Sequence, residues 1–202
     1  MQQHHYFLNT THEESDYFTF TDYFLSRPYT FKSCSDIFSK DTFDYGTTLL
    51  LKTIIDKFTL NGSVLDVGCG YGIIGIMLKI YYPDLKVTCL DINKTAVQLT
   101  KENAISFKLD IEALESNLYD NISTKYTHIV TNPPIKAGKE NLFNVVTKGY
   151  IVLEDGGDIT LVIKKKHGME SLKKHMHDVF GNVEILKKDK GYYILHSKKS
   201  AL

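Results

Sequence analysis

The sequence predicts an α/β fold: a mostly parallel sheet of seven strands with an antiparallel last strand, helices on both faces, and a small N-terminal β-hairpin extension. Three observations predict it. From about residue 49 to about residue 181, strand-like apolar runs alternate with helical stretches, the pattern of a parallel sheet covered on both sides. A glycine-rich turn, "VLDVGCGYGIIG", joins the first of these strands to a helix. The stretch "NVEILKKDKGYYILHS" reads as two strands around "KDKG", which makes the final strand antiparallel.

The elements follow in order. "YFTFTDYFLS" and "YTFKSC" are aromatic, β-prone and flank "SRP", so a hairpin should turn near Ser26–Pro28. "DIFSKDTFDYGTTLLLKTIIDKF" then changes period, with Leu49, Leu50, Thr53, Ile54 and Phe58 on one helical face. After the buried strand and glycine loop, "IIGIMLKIYY" is a helix stopped by Pro83, and "KVTCLDI" is a strand. "NKTAVQLTKENAISF" is a helix with Asn93 as its N-cap. "IEALES" and "THIVTN" are strands, the second ended by Pro133. "KENLFNVVTKGYIVLED" is expected to be helical until Gly156–Gly157 breaks it; "DITLVIKK" is a strand and "MESLKKHMHDVF" a helix. Residues 1–45 are expected to form a β extension packed on the core rather than an independent unit, and residues 46–202 the main domain. No internal repeat or low-complexity tract interrupts the pattern.

The 202 residues suit one domain, and 43% hydrophobic residues supply a sizeable core. No apolar run reaches the roughly 20 residues of a membrane span. The N-terminus has neither a basic n-region nor an apolar h-region, so no secretory signal is expected. Cys34, Cys69 and Cys89 are scattered and lack C-x-x-C spacing, which argues against a disulfide or zinc framework and for a reducing cytoplasm. The histidines, including His4–His5, His12, His175 and His177, form no metal-ligand pattern. The net charge of zero hides an asymmetry: residues 1–132 carry 11 basic and 16 acidic side chains, residues 133–202 carry 13 and 8. The basic half, with Lys164–Lys166, fits either a polyanionic partner or an ordinary solvated lysine face.

The glycine loop carries the first chemistry. Gly68, Gly70 and Gly72 let the backbone turn tightly and approach a ligand without Cβ clashes. Asp91 ends the next strand, where a carboxylate can take both hydroxyls of a ribose. The dinucleotide spacing G-x-G-x-x-G is absent, because Ile73 stands where the third glycine would be. Asp66 ahead of the loop disfavours a diphosphate and suits a cation. Together these residues point to a nucleoside cofactor bearing positive charge, such as S-adenosylmethionine, with its ribose, ammonium and sulfonium. Cys69 inside the loop reads as packing, since no base adjoins it.

The stretch "VTNPPIKAGK" carries the second. It ends a strand on the same rim as the glycine loop. The Asn132 side-chain oxygen and the Pro133 carbonyl can together accept both hydrogens of a planar NH2 group. That favours a pyramidal nitrogen with its lone pair directed at an electrophile, through orientation and preorganised electrostatics. Pro133 and Pro134 stiffen the carbonyl direction. Without the glycine loop nearby, the same residues would be a helix-initiating turn.

These residues resemble a family. The chain is similar to class I S-adenosylmethionine-dependent methyltransferases of the ribosomal RNA small subunit methyltransferase C type, in the short single-domain bacterial branch. The likeness runs from "HHYF" through "DIFSKDTFDYGTTLL", "VLDVGCGYGIIGI", "CLDIN", "KENA", "VTNPPIKAGK" and "VIKKKHG" to "FGNVEILKKDKGYYILHSKK". It implies a Rossmann-like fold, S-adenosylmethionine as cofactor, and the N2 amine of a guanine in 16S ribosomal RNA as target. It also implies ribosomal RNA or the small ribosomal subunit as partner, a cytoplasmic monomer, no metal and no membrane. The "FSKD…D.G" stretch is its most specific part; in the family it lies against the cofactor and the target base, which implies substrate-binding roles for Lys40, Asp41 and Asp44, with Gly46 at the cofactor. Around the cofactor it places Cys69 with the loop glycines, Ile92 beside Asp91, and Asn117 and Leu118 of "SNLYD" at the adenine. Ile135, Lys136 and Lys139 fall on the substrate side. Three departures stand out. Asn117 replaces an aspartate of many relatives, and its amide can still accept from the adenine amine. Lys136 replaces an arginine, keeping charge and losing the planar fork. Ile135 offers the base an apolar platform, leaving an aromatic stacking partner open among Tyr45, Phe43 and Tyr71.

Rival readings are weighed by residue. Methylation of adenine N6 or of a protein glutamine also uses N-P-P sites, and Ile135 counts against both. A non-catalytic RNA-binding assembly factor would not need Asp66, Gly68, Gly70, Asp91 and Asn132 intact. A nicotinamide oxidoreductase is disfavoured by Ile73.

Overall fold

The computed structural model describes residues 16–37, 39, 41–134 and 138–201. Residues β1 (Tyr17–Phe24) and β2 (Arg27–Cys34) form an antiparallel hairpin. The main sheet takes β3 (Ser63–Val67), β4 (Lys86–Asp91), β5 (Glu112–Glu115), β6 (Tyr126–Thr131), β7 (Leu153–Lys164), β8 (Glu184–Asp189) and β9 (Tyr192–Lys198). Their spatial order is β5-β4-β3-β6-β7-β9-β8, and β9 alone runs against its neighbours. The sheet expected from the alternating pattern is therefore present, antiparallel last strand included.

Apolar helix faces form a core on each side. One joins α1 (Tyr45–Lys57), α2 (Ile73–Tyr81) and α3 (Lys94–Ser106) around Leu50, Ile54, Ile76, Met77 and Leu99. The other joins α4 (Lys139–Val152) and α5 (Met169–Phe180) around Val145, Val146, Leu172 and Met176. Because β3 lies between β4 and β6, the chain reverses its direction of travel across the sheet there. The carboxyl ends of such strands open a crevice, the usual ligand position. Asn93 caps α3 as expected, accepting from Thr95 N–H at 2.9 Å. Among the described residues no helix is long and apolar enough to cross a membrane.

The hairpin turns at Leu25 and Ser26, both with positive φ, and closes on the pair Phe24–Arg27. Two left-handed residues match the twist of the flanking strands. Its inner face is aromatic: Phe31 is fully buried, with its ring centroid 5.0 Å from Phe107, 5.5 Å from Tyr71 and 5.6 Å from Phe43. Asn103 on α3 fastens this contact. Its Oδ1 accepts from Lys32 N–H at 2.7 Å, and its Nδ2 donates to the carbonyls of Lys32 and Tyr71 at 2.9 and 2.8 Å. One buried amide thus ties the hairpin to the glycine loop.

One stretch differs from expectation. The helix before Gly156–Gly157 ends at Val152, and Leu153–Asp155 already belong to β7. Leu153 pairs with Tyr126, yet Asp158 pairs with His128, so the extra residues bulge out of the strand. Gly156 has φ +80°, and a Cβ on Gly157 would lie 2.8 Å from the Thr127 carbonyl oxygen. The glycines permit a bulge rather than ending a helix. Buried Lys199 holds it, donating to the Leu153 carbonyl at 3.0 Å and pairing with Asp155 at 3.3 Å.

Asn103→Ala leaves the part-buried N–H and carbonyl of Lys32 and the buried carbonyl of Tyr71 without their partner. It should cost about 2–4 kcal/mol in urea unfolding at unchanged slope. An unchanged midpoint would mean the hairpin is held by aromatic burial alone.

Candidate active site

Two cavities open at the carboxyl ends of β3, β4 and β6, and Gly68 and Pro134 line both. The smaller, about 240 Å³, is lined by Asp91, Ile92, Ser116, Asn117 and Leu118. The larger, about 480 Å³, has Asp44, Thr47, Cys69, Gly70, Asn132 and Pro133 on its wall. Gly68 sits at φ +75°, and a Cβ there would lie 3.5 Å from Pro134 Cδ, the other residue the two cavities share.

Asp91 ends β4 and organises the small chamber. Its Oδ2 accepts from Gly70 N–H at 3.0 Å and its Oδ1 from Asn93 N–H at 2.9 Å. A carboxylate has about four lone-pair sites, so its backbone bonds leave acceptor capacity for a ligand hydroxyl. Burial raises its pKa, while the N–H bonds from Asn93, Gly70 and Ile92 oppose the rise. Leu118, at φ +51°, occupies the left-handed region, which β-carbon sterics make uncommon. This turn presents Asn117 and Leu118 to the chamber.

Asp66 lies behind the glycine loop, fully buried and outside both cavity walls. Its Oδ2 accepts from Gly75 N–H in the first turn of α2 at 3.0 Å. Its Oδ1 has no hydrogen-bond partner among the described residues. Burial lifts its pKa to about 7, the Gly75 bond opposes this, and the charge of Asp91 adds to it. Thr100 Oγ1 buttresses the loop, donating to the Gly70 carbonyl at 3.1 Å and lying 3.4 Å from Cys69 Sγ. Gly72 opens α2 at φ +91°, where a Cβ would meet Thr100 at 2.8 Å, so it serves packing.

Asn132 follows the end of β6, on the wall of the large chamber. Its Nδ2 donates to Asp44 Oδ2 at 3.0 Å and to Thr47 Oγ1 at 2.9 Å. The reverse amide orientation would set its oxygen against the Asp44 carboxylate. Both amide hydrogens are thus used, and Oδ1 remains as the acceptor. Asp44 is also the N-cap of α1, its Oδ2 accepting from Thr47 N–H at 2.8 Å. Its capping role and its place in the site are therefore one arrangement. Gly46 lies below: a Cβ there would stand 2.7 Å from Tyr192 Cε1 and 2.9 Å from Asp44 Oδ2. It makes room for these side chains and lines neither cavity.

The remaining expected residues divide. Asp41 is exposed and off both walls. Lys139, also exposed, holds its Nζ 5.2 Å over the Phe143 ring, away from both cavities. Lys40, Ile135 and Lys136 fall outside the described residues. Among the aromatic candidates Tyr71 lines the large chamber, Phe43 is buried beneath the hairpin, and Tyr45 bonds Asp189 through its hydroxyl. Thr47, His167 and Tyr192 were not anticipated, and all three line the chamber with Lys164. The signal for Thr47 was present, three residues after a capping aspartate; Tyr192 carried none, because β9 reaches the rim only by pairing with β7. Lys164 lies with its Nζ 4.6 Å over the Tyr192 ring, and Tyr192 and Asp44 raise its pKa. His167 titrates below its ordinary value through burial and the charges of Lys166 and Lys164.

Known proteins resemble this arrangement. The model of the methyltransferase small domain matches residues 28–196. "Uncharacterized protein YbxB" of Bacillus subtilis is 34% identical over 198 residues, covering 96% of this chain and 98% of that protein. A ribosomal RNA small subunit methyltransferase C of Erwinia tasmaniensis is 29% identical over 186 residues, 90% of this chain and 53% of the relative. The chain thus spans about half the length of that relative. The solved T. thermophilus 16S rRNA N2 G1207 methyltransferase, in complex with AdoMet and guanosine, superposes with a TM-score of 0.82 at 25% identity, over 91% of this chain and 50% of that one.

Asp66 fixes a pH dependence. An acid whose native pKa is above its unfolded value holds an extra proton only when folded, here between about pH 4 and its native pKa of about 7. Its stabilisation is complete below that window and is lost as pH rises through about 7, and Asp91 adds in the same direction. The urea midpoint of cofactor-free protein should therefore fall between about pH 5 and about pH 8, and Asp66→Asn should flatten the fall. A profile of the same shape in wild type and Asp66→Asn contradicts the assignment.

Proposed function

The chain belongs to the methyltransferase small domain family, an S-adenosylmethionine-dependent methyltransferase with the class I fold, and we propose that it methylates the N2 amine of a guanine in 16S ribosomal RNA. The residues present fit the cofactor. Asp91 would take the ribose hydroxyls, and Ile92, Asn117 and Leu118 the adenine. The glycine loop would carry the amino-acid end, where the unpartnered Oδ1 of Asp66 gains from a nearby cation. S-adenosylmethionine supplies an electrophilic methyl group.

The observation that carries the reading is the locked amide of Asn132. Its oxygen, with the Pro133 carbonyl, would hold the two hydrogens of an exocyclic amine. Holding both would favour a pyramidal nitrogen, whose lone pair is less conjugated with the ring and is directed at the methyl group. No strong base is required, because the amine becomes acidic as it gains a fourth substituent. A base that reaches Asn132 in this chamber would have to be unstacked or single-stranded. Lys164, on the wall, with Lys165 and Lys166 beside it in a short turn, supplies positive charge for flanking phosphates. The relative of known substrate, the T. thermophilus enzyme with bound guanosine, supports guanine over other amines. Three free cysteines suit the reducing cytoplasm in which ribosomal RNA is processed. The hairpin, sharing its core with α2 and α3, would act with the rest of the chain as one unit.

The test is methyl transfer from labelled S-adenosylmethionine to unmodified 16S ribosomal RNA, naked and assembled, with nucleosides identified by mass spectrometry. Label in N2-methylguanosine is expected; label confined to N6-methyladenosine or to protein would overturn the proposal. Asn132→Ala should lower turnover by about 10²–10³ while cofactor affinity holds. Asp91→Ala should do the reverse, weakening cofactor binding first. Loss of cofactor binding in Asn132→Ala would refute the role given to Asn132.

A further inference from the structure

Asp44 does more than its caps and clamps require. Its Oδ2 carries both known bonds, to Thr47 N–H and to the Asn132 amide. Its Oδ1 has no hydrogen-bond partner among the described residues, and it is not a buried orphan. The residue is on the wall of the large chamber, beside Asn132. Its charge is felt by Lys164 and Tyr71, which line the same chamber. Asn132 and Asp44, bonded to each other on the chamber wall, thus each retain an oxygen with no hydrogen-bond partner among the described residues.

The edges of the nucleobases sort themselves against such a pair. Guanine presents its amine next to a ring N1–H, two donor groups in a row. Adenine and cytosine present their amines next to a bare ring nitrogen, an acceptor. A carboxylate oxygen beside the amine-binding oxygen is bridged by the first pattern and repelled by the second. Guanine also carries a 6-oxygen beyond N1, and Lys164 gives the chamber a cationic donor.

Resting on the guanine reading above, we propose that the free oxygen of Asp44 accepts the N1–H of the target guanine, so that Asp44 selects the base while Asn132 orients its amine. The clamp and the selector are then one side chain. An amide at this position would turn its carbonyl toward the two donors, Thr47 N–H and Asn132 Nδ2, because both need an acceptor. Its NH2 group would then face the base where the free oxygen stood. That group clashes with an N1–H and bonds a bare N1.

The experiment uses 16S ribosomal RNA ligated with either guanine or 2-aminopurine at the one nucleotide that the wild-type protein methylates. 2-Aminopurine keeps the amine and has a bare N1. The wild-type protein should favour guanine by about tenfold to a hundredfold. Asp44→Asn should shrink that ratio by at least about tenfold, toward 2-aminopurine, with cofactor affinity unchanged as the check on folding. Thr47→Val, which removes only the second hold on Asn132, should slow both substrates alike and leave the ratio in place. An Asp44→Asn protein that slows both substrates equally would overturn the inference and reduce Asp44 to a positioning residue. A wild-type protein that labels no guanine would overturn the guanine reading itself.

Discussion

Two donors from distant parts of the chain converge on one carboxylate oxygen. Thr47 N–H opens helix α1, and the Asn132 amide stands just past the end of β6; both bond Asp44 Oδ2. A helix leaves its first N–H groups unpaired, so a capping carboxylate is stabilising there on its own account. Here that local demand sets the direction of a side chain 88 residues away. The site depends on α1 being docked and capped, and the cap depends on nothing else. This ordering explains why glycine occupies position 46: the carboxylate and the Tyr192 ring fill the space a Cβ would take.

The second constraint is the reach of the hairpin. Its aromatic face covers Tyr71 of the glycine loop, and Asn103 bonds both the hairpin backbone and the loop backbone. Thr100, one turn earlier on the same helix, bonds the loop at Gly70. Polar groups of α3 thus replace what the loop's own residues, mostly glycine, cannot provide. A loop with three glycines at positive φ would otherwise be conformationally free. Its rigidity is borrowed from a helix and a hairpin.

Buried acids stand on either side of that loop. Asp91 spends its lone pairs on backbone donors and still faces the small chamber, whereas Asp66 keeps one oxygen unpartnered in the interior. An unpaired buried carboxylate costs stability unless it takes a proton or gains a cation. The glycine loop therefore rests on an acid whose state responds to pH and to what binds in front of it.

Much of this was legible in the amino-acid sequence, for reasons that are local. Strand and helix periods depend on residues a few positions apart, so the order of elements, the Asn93 cap and the antiparallel end could be read directly. Glycine spacing signals backbone that other residues cannot adopt, and the N-P-P turn marks a strand end, so the rim was legible too. The Leu153–Asp155 stretch was misread as helix because a bulge and a helix break both use glycines. Tertiary structure alone decided what bonds what. Asp44 meets Asn132, Asn103 meets Lys32, and Tyr192 reaches the chamber, across separations that no periodicity spans. A side chain's type is written in the sequence, but which of its lone pairs is left free is set by packed neighbours, here Thr47 and Asn132 around Asp44.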